Sequence, residues 1–325
     1  MVRQTDFDIP RPPLSSLALA YLQPSALGAH VLAVDASLVQ PSPATTGVTY
    51  LSTRDASQTP VSFETAVMTG LAPDRGLYVP AAMPRVTAAQ LQAWHTLAFA
   101  DLSFEILSLF IGRNEIAETH LRDLINRSYR TFSSQHITPL VPVAADGTLN
   151  ILELFHGPTC SFKDVALQFV GNLFDYFLRR QATAGAARPL VVVGATSGDT
   201  GSAAIEGLRG KANVQVFMLH PHGRVAPIQE AQMTTILDAN VHNVAVDGTF
   251  DDCQAIVKSL FADEAFRSAH ALGAVNSINW ARILAQIVYY FFAYYRWIDA
   301  GGGRRSLGDK VKRCSESSMH PATHS

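Results

Sequence analysis

Residues 190–202 read Leu190-Val191-Val192-Val193-Gly194-Ala195-Thr196-Ser197-Gly198-Asp199-Thr200-Gly201-Ser202. Four apolar residues, three of them β-branched, predict a short buried strand over 190–193. Glycines follow at 194, 198 and 201, and Ser202 to Leu208 reads as a helix. In a strand, glycine-rich loop and helix of this kind the backbone can come close to a ligand. Loop N–H groups and the helix N-terminus then form an anion site. Two phosphate fingerprints are excluded: no Gly-Lys-Ser/Thr follows, and the glycine spacing is not G-x-G-x-x-G. A tight turn between strand and helix can also need glycine for geometry alone.

Outward from this unit, residues 136–298 alternate strand and helix. Leu149–Leu154, Leu190–Val193, Val214–Leu219 and Val241–Val246 read as strands, and Asp164–Arg180, Ser202–Leu208, Ile228–Leu237 and Asp251–Phe261 as helices. The alternation predicts a parallel sheet with crossover helices. Ligands in such sheets bind beyond the carboxyl ends of the strands, where Gly194–Gly201 falls. Trp280–Ile298 is the most apolar long stretch, but it contains Arg282, Gln286 and Arg296. It reads as a buried amphipathic helix and not a membrane span, with Ile283, Ile287, Phe291 and Tyr294 at core spacing. Residues 48–135 look mostly helical, over Thr87–Leu97, Ser103–Leu109 and Asn114–Ser128.

Upstream lies Leu154-Phe155-His156-Gly157-Pro158-Thr159-Cys160-Ser161-Phe162-Lys163-Asp164. A Gly-Pro turn delivers the chain to Ser161, and Ser161 with Asp164 has the spacing of a capping box. Lys163 then falls in the first helical turn, where the positive dipole end and scarce water disfavour an ammonium. A lysine so placed can act as a Schiff-base nucleophile; the bland alternative is a surface lysine on an amphipathic helix. Cys160 reads as a small packing residue and His156 as a turn residue.

Taken together, His-Gly-Pro-Thr-x-x-Phe-Lys-Asp at 156–164 and Ala195-Thr196-Ser197-Gly198-Asp199-Thr200-Gly201 resemble the threonine synthase family. Three further stretches agree. Thr49-Tyr50-Leu51-Ser52-Thr53-Arg54 with Gly70–Pro80 looks like the family's start, Ile137-Thr138-Pro139-Leu140 like the entry strand of its cofactor domain, and Asn276–Gln286 like its Asn-Ser-x-Asn segment. The resemblance runs from about residue 48 to about 298. It implies a fold of the tryptophan-synthase-β type (fold type II): a parallel α/β sheet with crossover helices, preceded by a small, mostly helical N-terminal domain. It also implies pyridoxal 5'-phosphate and the conversion of O-phospho-L-homoserine and water to L-threonine and phosphate. Lys163 would carry the cofactor and shuttle protons at Cα and Cβ, with Asp199 and Ser197 beside the cofactor. Thr196, Ser197 and Thr200 would bind the substrate carboxylate. Asn276, Ser277 and Asn279 would lie near the substrate phosphate, and Arg282 would be either a phosphate ligand or a helix-face charge. Asp199 is awkward beside an anion and could instead face a cofactor hydroxyl or amino group.

Composition is compatible with this. Hydrophobic residues make up 48% of the 325 residues, enough for a sizeable core, and the net charge of −2 leaves no basic field for nucleic acid. Cys160, Cys253 and Cys314 are too few and scattered for a disulfide framework or a zinc site; reduced thiols in the cytoplasm are the simplest expectation. The expected organisation is a flexible extension over 1–47, an N-terminal domain over 48–135, a cofactor domain over 136–298 and a divergent, disordered tail over 299–325. The family continues past the segment matching Trp280–Ile298 with a second glycine-rich loop that cradles the cofactor phosphate. Gly301-Gly302-Gly303 does not match it, so the fold is expected to lack its C-terminal part. The alternative readings are a truncated, inactive form or another fold-type-II lyase.

Overall fold

The computed structural model describes residues 47–143, 149–185, 188–273 and 279–300. Asn276 and Ser277, most of the expected N-terminal extension and nearly all of the tail, Gly301–Gly303 included, lie outside these. Helices in chain order are α1 (Phe63–Thr69), α2 (Ala88–Trp94), α3 (Phe99–Ser108), α4 (Glu118–Tyr129), α5 (Lys163–Thr183), α6 (Asp199–Leu208), α7 (Pro227–Thr234), α8 (Phe250–Ala262), α9 (Glu264–His270) and α10 (Trp280–Asp299). Strands are β1 (Tyr50–Ser52), β2 (Tyr78–Pro80), β3 (Leu140–Pro142), β4 (Asn150–Leu152), β5 (Leu190–Ala195), β6 (Val214–Pro221), β7 (Val241–Val246) and β8 (Leu272–Gly273).

The main sheet has the order β7-β6-β5-β8, and its pairings are parallel. Val191 to Val193 supply the β-branched run that suits a strand covered on both faces. One face packs on α5, α6 and α10; on the other, Val193 and Leu219 meet Cys253, Val257 and Leu260 of α8. The chain moves outward from β5 to β6 to β7, then returns through β8 to the opposite side of β5. That reversal places a crevice at the carboxyl end of β5. Thr196–Gly201 leaves one side of it, and Asn279 with the first turn of α10 follows β8 on the other.

One expected strand sits elsewhere. Leu149–Leu154 does not join the parallel sheet; β4 pairs antiparallel with β3, Val141 opposite Ile151. The segment is too short and too close in sequence to β3 for a crossover, so a hairpin-like ribbon is the available pairing. A second difference concerns α10. Its fully buried stripe is Ala281, Leu284, Ala285, Val288, Tyr289, Phe292 and Tyr295, whereas Ile283, Ile287, Phe291 and Tyr294 are half-buried at its margin. The helix is apolar around most of its circumference, so periodicity alone does not select the inward stripe.

Residues 50–129 share one core with the sheet region. Phe63 meets Phe177 edge-on, and Phe99 meets Phe292 at 5.4 Å between ring centroids. Ser62 caps α1, and the Glu115 carboxylate accepts from Phe63 N at 2.8 Å and Glu64 N at 2.9 Å. An anion on those free N–H groups opposes the positive helix end. Glu64 in turn accepts from Arg180 and Gln181 at the far end of α5. Helices α5 and α6 cross with almost no gap, because a Cβ on Gly171 would lie 2.0 Å from Gly207 O. This crossing brings the first residues of the two helices together.

Candidate active site

Lys163 is the first residue of α5. The loop before it is tied by Asp164, whose fully buried carboxylate accepts from Thr159 N at 2.8 Å, Thr159 Oγ1 at 2.6 Å and Ser161 N at 3.4 Å. Burial raises the Asp164 carboxyl above the ordinary carboxylate range, and these hydrogen bonds offset part of the rise. A Cβ on Gly157 would overlap that carboxylate at 2.4–2.8 Å, so the turn requires glycine there. The expected capping box takes a different form. Phe162 occupies the N-cap, and Ser161 Oγ accepts from Lys163 N, not from Asp164 N. Asp164 turns back past Ser161 to Thr159, which closes the loop in place of a simple cap. His156 uses both ring nitrogens locally, on Glu153 Oε2 at 2.8 Å and Ser133 Oγ at 3.3 Å, as suits a turn residue.

The second arm leaves β5. Thr196, 1% exposed, turns its hydroxyl inward, donating to Gly198 O and accepting from Gly198 N and Gly201 N at 2.9–3.0 Å. The hydroxyl is thus spent on holding the loop. Gly198 sits at φ +155°, ψ −109°, a conformation that needs glycine. Ser197 is exposed and Thr200 half-buried. Helix α6 begins at Asp199 with no side-chain cap, leaving N–H donors at its positive end.

The two arms meet at one contact. Lys163 Nζ lies 2.5 Å from Asp199 Oδ2 and 4.6 Å from the centre of the half-exposed Phe162 ring. The amine is ion-paired with Asp199.

Across the crevice, Asn279 spends its carboxamide on structure: Nδ2 donates to Val67 O at 2.8 Å and Oδ1 accepts from Ala281 N at 3.0 Å. Arg282 differs. It is 6% exposed, yet Nη1 has no hydrogen-bond partner among the described residues. Burial lowers the guanidinium pKa, while the Asp199 carboxylate acts against that. A buried cation with an unused donor needs an anion to complete it. A primary amine, an aromatic face beside it, an open helix N-terminus and a guanidinium nitrogen without a partner among the described residues make a donor set that fits a phosphorylated aldehyde and an anionic substrate.

Sequence reasoning did not find Gln229, Gln232 and Met233 of α7, which touch both arms. Helical spacing carries no signal for contacts with loops distant in sequence.

Two family models match the chain. Residues 49–129 match the family described as threonine synthase N terminus, and residues 134–301 match that described as pyridoxal-phosphate dependent enzyme. Threonine synthase of Eremothecium gossypii is 57% identical over 261 residues, covering 78% of this chain and 51% of that protein. The crystal structure of threonine synthase from yeast superposes with a TM-score of 0.73 at 55% identity, covering 77% of this chain and 50% of that one. A pyridoxal-phosphate-bound threonine synthase structure from Brucella melitensis gives 0.71 at 42% identity, covering 77% and 52%. The chain spans about half the length of the relatives it matches.

Proposed function

The chain belongs to the pyridoxal-phosphate-dependent enzyme family, and from that premise we propose a threonine synthase reaction: O-phospho-L-homoserine and water give L-threonine and phosphate. The observation that carries this reading is the pairing of Lys163 Nζ with Asp199 at the two helix starts, together with the buried Arg282, whose Nη1 has no hydrogen-bond partner among the described residues. A substrate with a carboxylate and a phosphate brings the anions this wall lacks. The reading concerns the activity of the complete family fold, of which this chain spans about half.

Lys163 would hold the cofactor through its amine, which the Phe162 ring and the Asp199 carboxylate flank. When bound, the cofactor supplies an electron sink for charge released at the substrate α carbon. Lys163 Nζ would take and return protons at the substrate α and β carbons. Asp199, 2.5 Å away, keeps the nitrogen oriented between transfers. Ser197, Thr200 and the N–H groups at the start of α6 bind the substrate carboxylate, while Thr196 fixes the loop that presents them. Arg282 binds the phosphate, with Asn279 setting the first turn of α10 that carries it. Asn276 and Ser277 remain proposed neighbours of that phosphate.

The test incubates the full chain with cofactor and O-phospho-L-homoserine and measures phosphate and threonine separately. Equal amounts of both are expected. Arg282→Met should raise the half-saturating substrate concentration about ten- to a hundredfold, the usual worth of a charged hydrogen bond. Phosphate release without threonine, or an unchanged Arg282→Met, would refute the assignment.

A further inference from the structure

Helix α7 touches both arms of the site through one face. Gln232 Nε2 donates to Thr159 O at 3.3 Å, in the loop that feeds Lys163. Gln229 lies over Gly198: a Cβ there would sit 2.2 Å from Gln229 Oε1. Met233, fully buried, lies over Gly201, with Sδ 2.6 Å from the corresponding Cβ position. Positions 229, 232 and 233 are spaced three and four apart, so they share a helix face. The helix is itself rooted in the sheet, because Asn243 Nδ2 of β7 donates to Met233 O at 2.9 Å. Pro227 starts it, and Ile228 on its outer side is 71% exposed.

We infer that α7 is a brace that sets the gap between Lys163 and Asp199, with Gln229, Gln232 and Met233 as positioning residues. The Thr159 peptide is held from both sides, its N–H by Asp164 within α5 and its carbonyl by Gln232 of α7. The glycines at 198 and 201 let α7 lie directly on the substrate-side loop. Displacement of either arm toward α7 meets this helix. The ion pair between the arms is half-exposed at Asp199 and contributes little rigidity alone. The brace supplies it instead.

The experiment compares amide hydrogen exchange across the full chain in Gln232→Leu, Gln229→Ala, Gln232→Lys and the outer-face control Ile228→Ala. It adds the rate at which borohydride traps pyridoxal phosphate on Lys163. Gln232→Leu should speed exchange over 157–163 about fivefold, the worth of one ordinary hydrogen bond, and slow trapping by a similar factor. Exchange over β7 should stay unchanged. Gln229→Ala should act on 196–201, Gln232→Lys should restore a donor and slow exchange, and Ile228→Ala should change neither loop. Unchanged exchange over 157–163 in Gln232→Leu, or acceleration spread evenly through the sheet, would overturn the brace. If Gln232→Leu does not fold, Gln229→Ala decides the matter at 196–201. The chemical readout rests on Lys163 carrying the cofactor. Local exchange changes without any trapping in the parent chain would leave the brace standing and refute that reading.

Discussion

At the scale of single residues, Lys163 is the proposed site of chemistry, and Asp164 serves shape. The Asp199 side chain is 51% exposed, so breaking its pair with Lys163 leaves a carboxylate that water can solvate. Lys163→Ala should therefore abolish trapping of the cofactor while changing unfolding free energy by less than about 1 kcal/mol; denaturant titration checks this. Asp164 behaves differently. Its carboxyl is raised by burial, so the folded state holds the proton more tightly than the unfolded state. The stability it contributes is fully present below the ordinary carboxylate range and is lost as pH rises through its raised value. Urea unfolding between pH 4 and 7 should show the parent chain losing stability relative to Asp164→Asn with rising pH. A pH-independent difference would refute that. The place of Lys163 at a helix start was legible because Gly157, Pro158 and Ser161 announce a turn into a helix. The Lys163–Asp199 pair was not, since 36 residues separate its members and only the α5–α6 crossing joins them.

At the scale of elements, position in the site is set by how closely helices pack. The crossing of α5 on α6 depends on Gly171 and Gly207, where a Cβ would meet backbone at 2.0 Å and 2.6 Å. Backbone cannot rotate away as a side chain can. Gly171→Ala should cost about 1–3 kcal/mol or more through overpacking, and should also slow trapping at Lys163 by separating the helix starts. Thermal unfolding and the trapping rate together check this; loss of stability with an unaltered trapping rate would show that the crossing does not position the site. Strands β5, β6 and β7 were legible from apolar runs between turn residues. The ribbon β3–β4 was misassigned because a three-residue strand has the same pattern in either sheet. The stripe of α10 read as core packs at the margin of the core, beside a more buried stripe, because adjacent stripes are nearly equally apolar. Contacts of α7 with two loops leave no periodic trace at all.

At the scale of the whole molecule, the described residues form a core continuous from Tyr50 to Tyr295. They also show an apolar ribbon face: Val141, Val143, Leu149 and Ile151 are 38–56% exposed. Val141 and Ile151 are cross-strand partners on that face. In this chain, Val141→Lys and Ile151→Lys should each change stability by no more than about 0.5 kcal/mol. Phe177→Ala, in the centre of the core, should cost about 3–5 kcal/mol. A cost of core size at the ribbon would mean that another surface covers it. Among the described residues no helix is long and apolar enough to cross a membrane, which agrees with the polar interruptions in α10.

The central claim is that Lys163, paired with Asp199 at the mouth of a two-armed crevice, is the residue that carries the cofactor. The most direct measurement adds pyridoxal phosphate to the full chain, reduces with borohydride, digests, and maps the modified peptide by mass spectrometry. One stoichiometric adduct at Lys163, absent in Lys163→Ala, is predicted. Labelling spread over other lysines, or unchanged by Lys163→Ala, would contradict the claim.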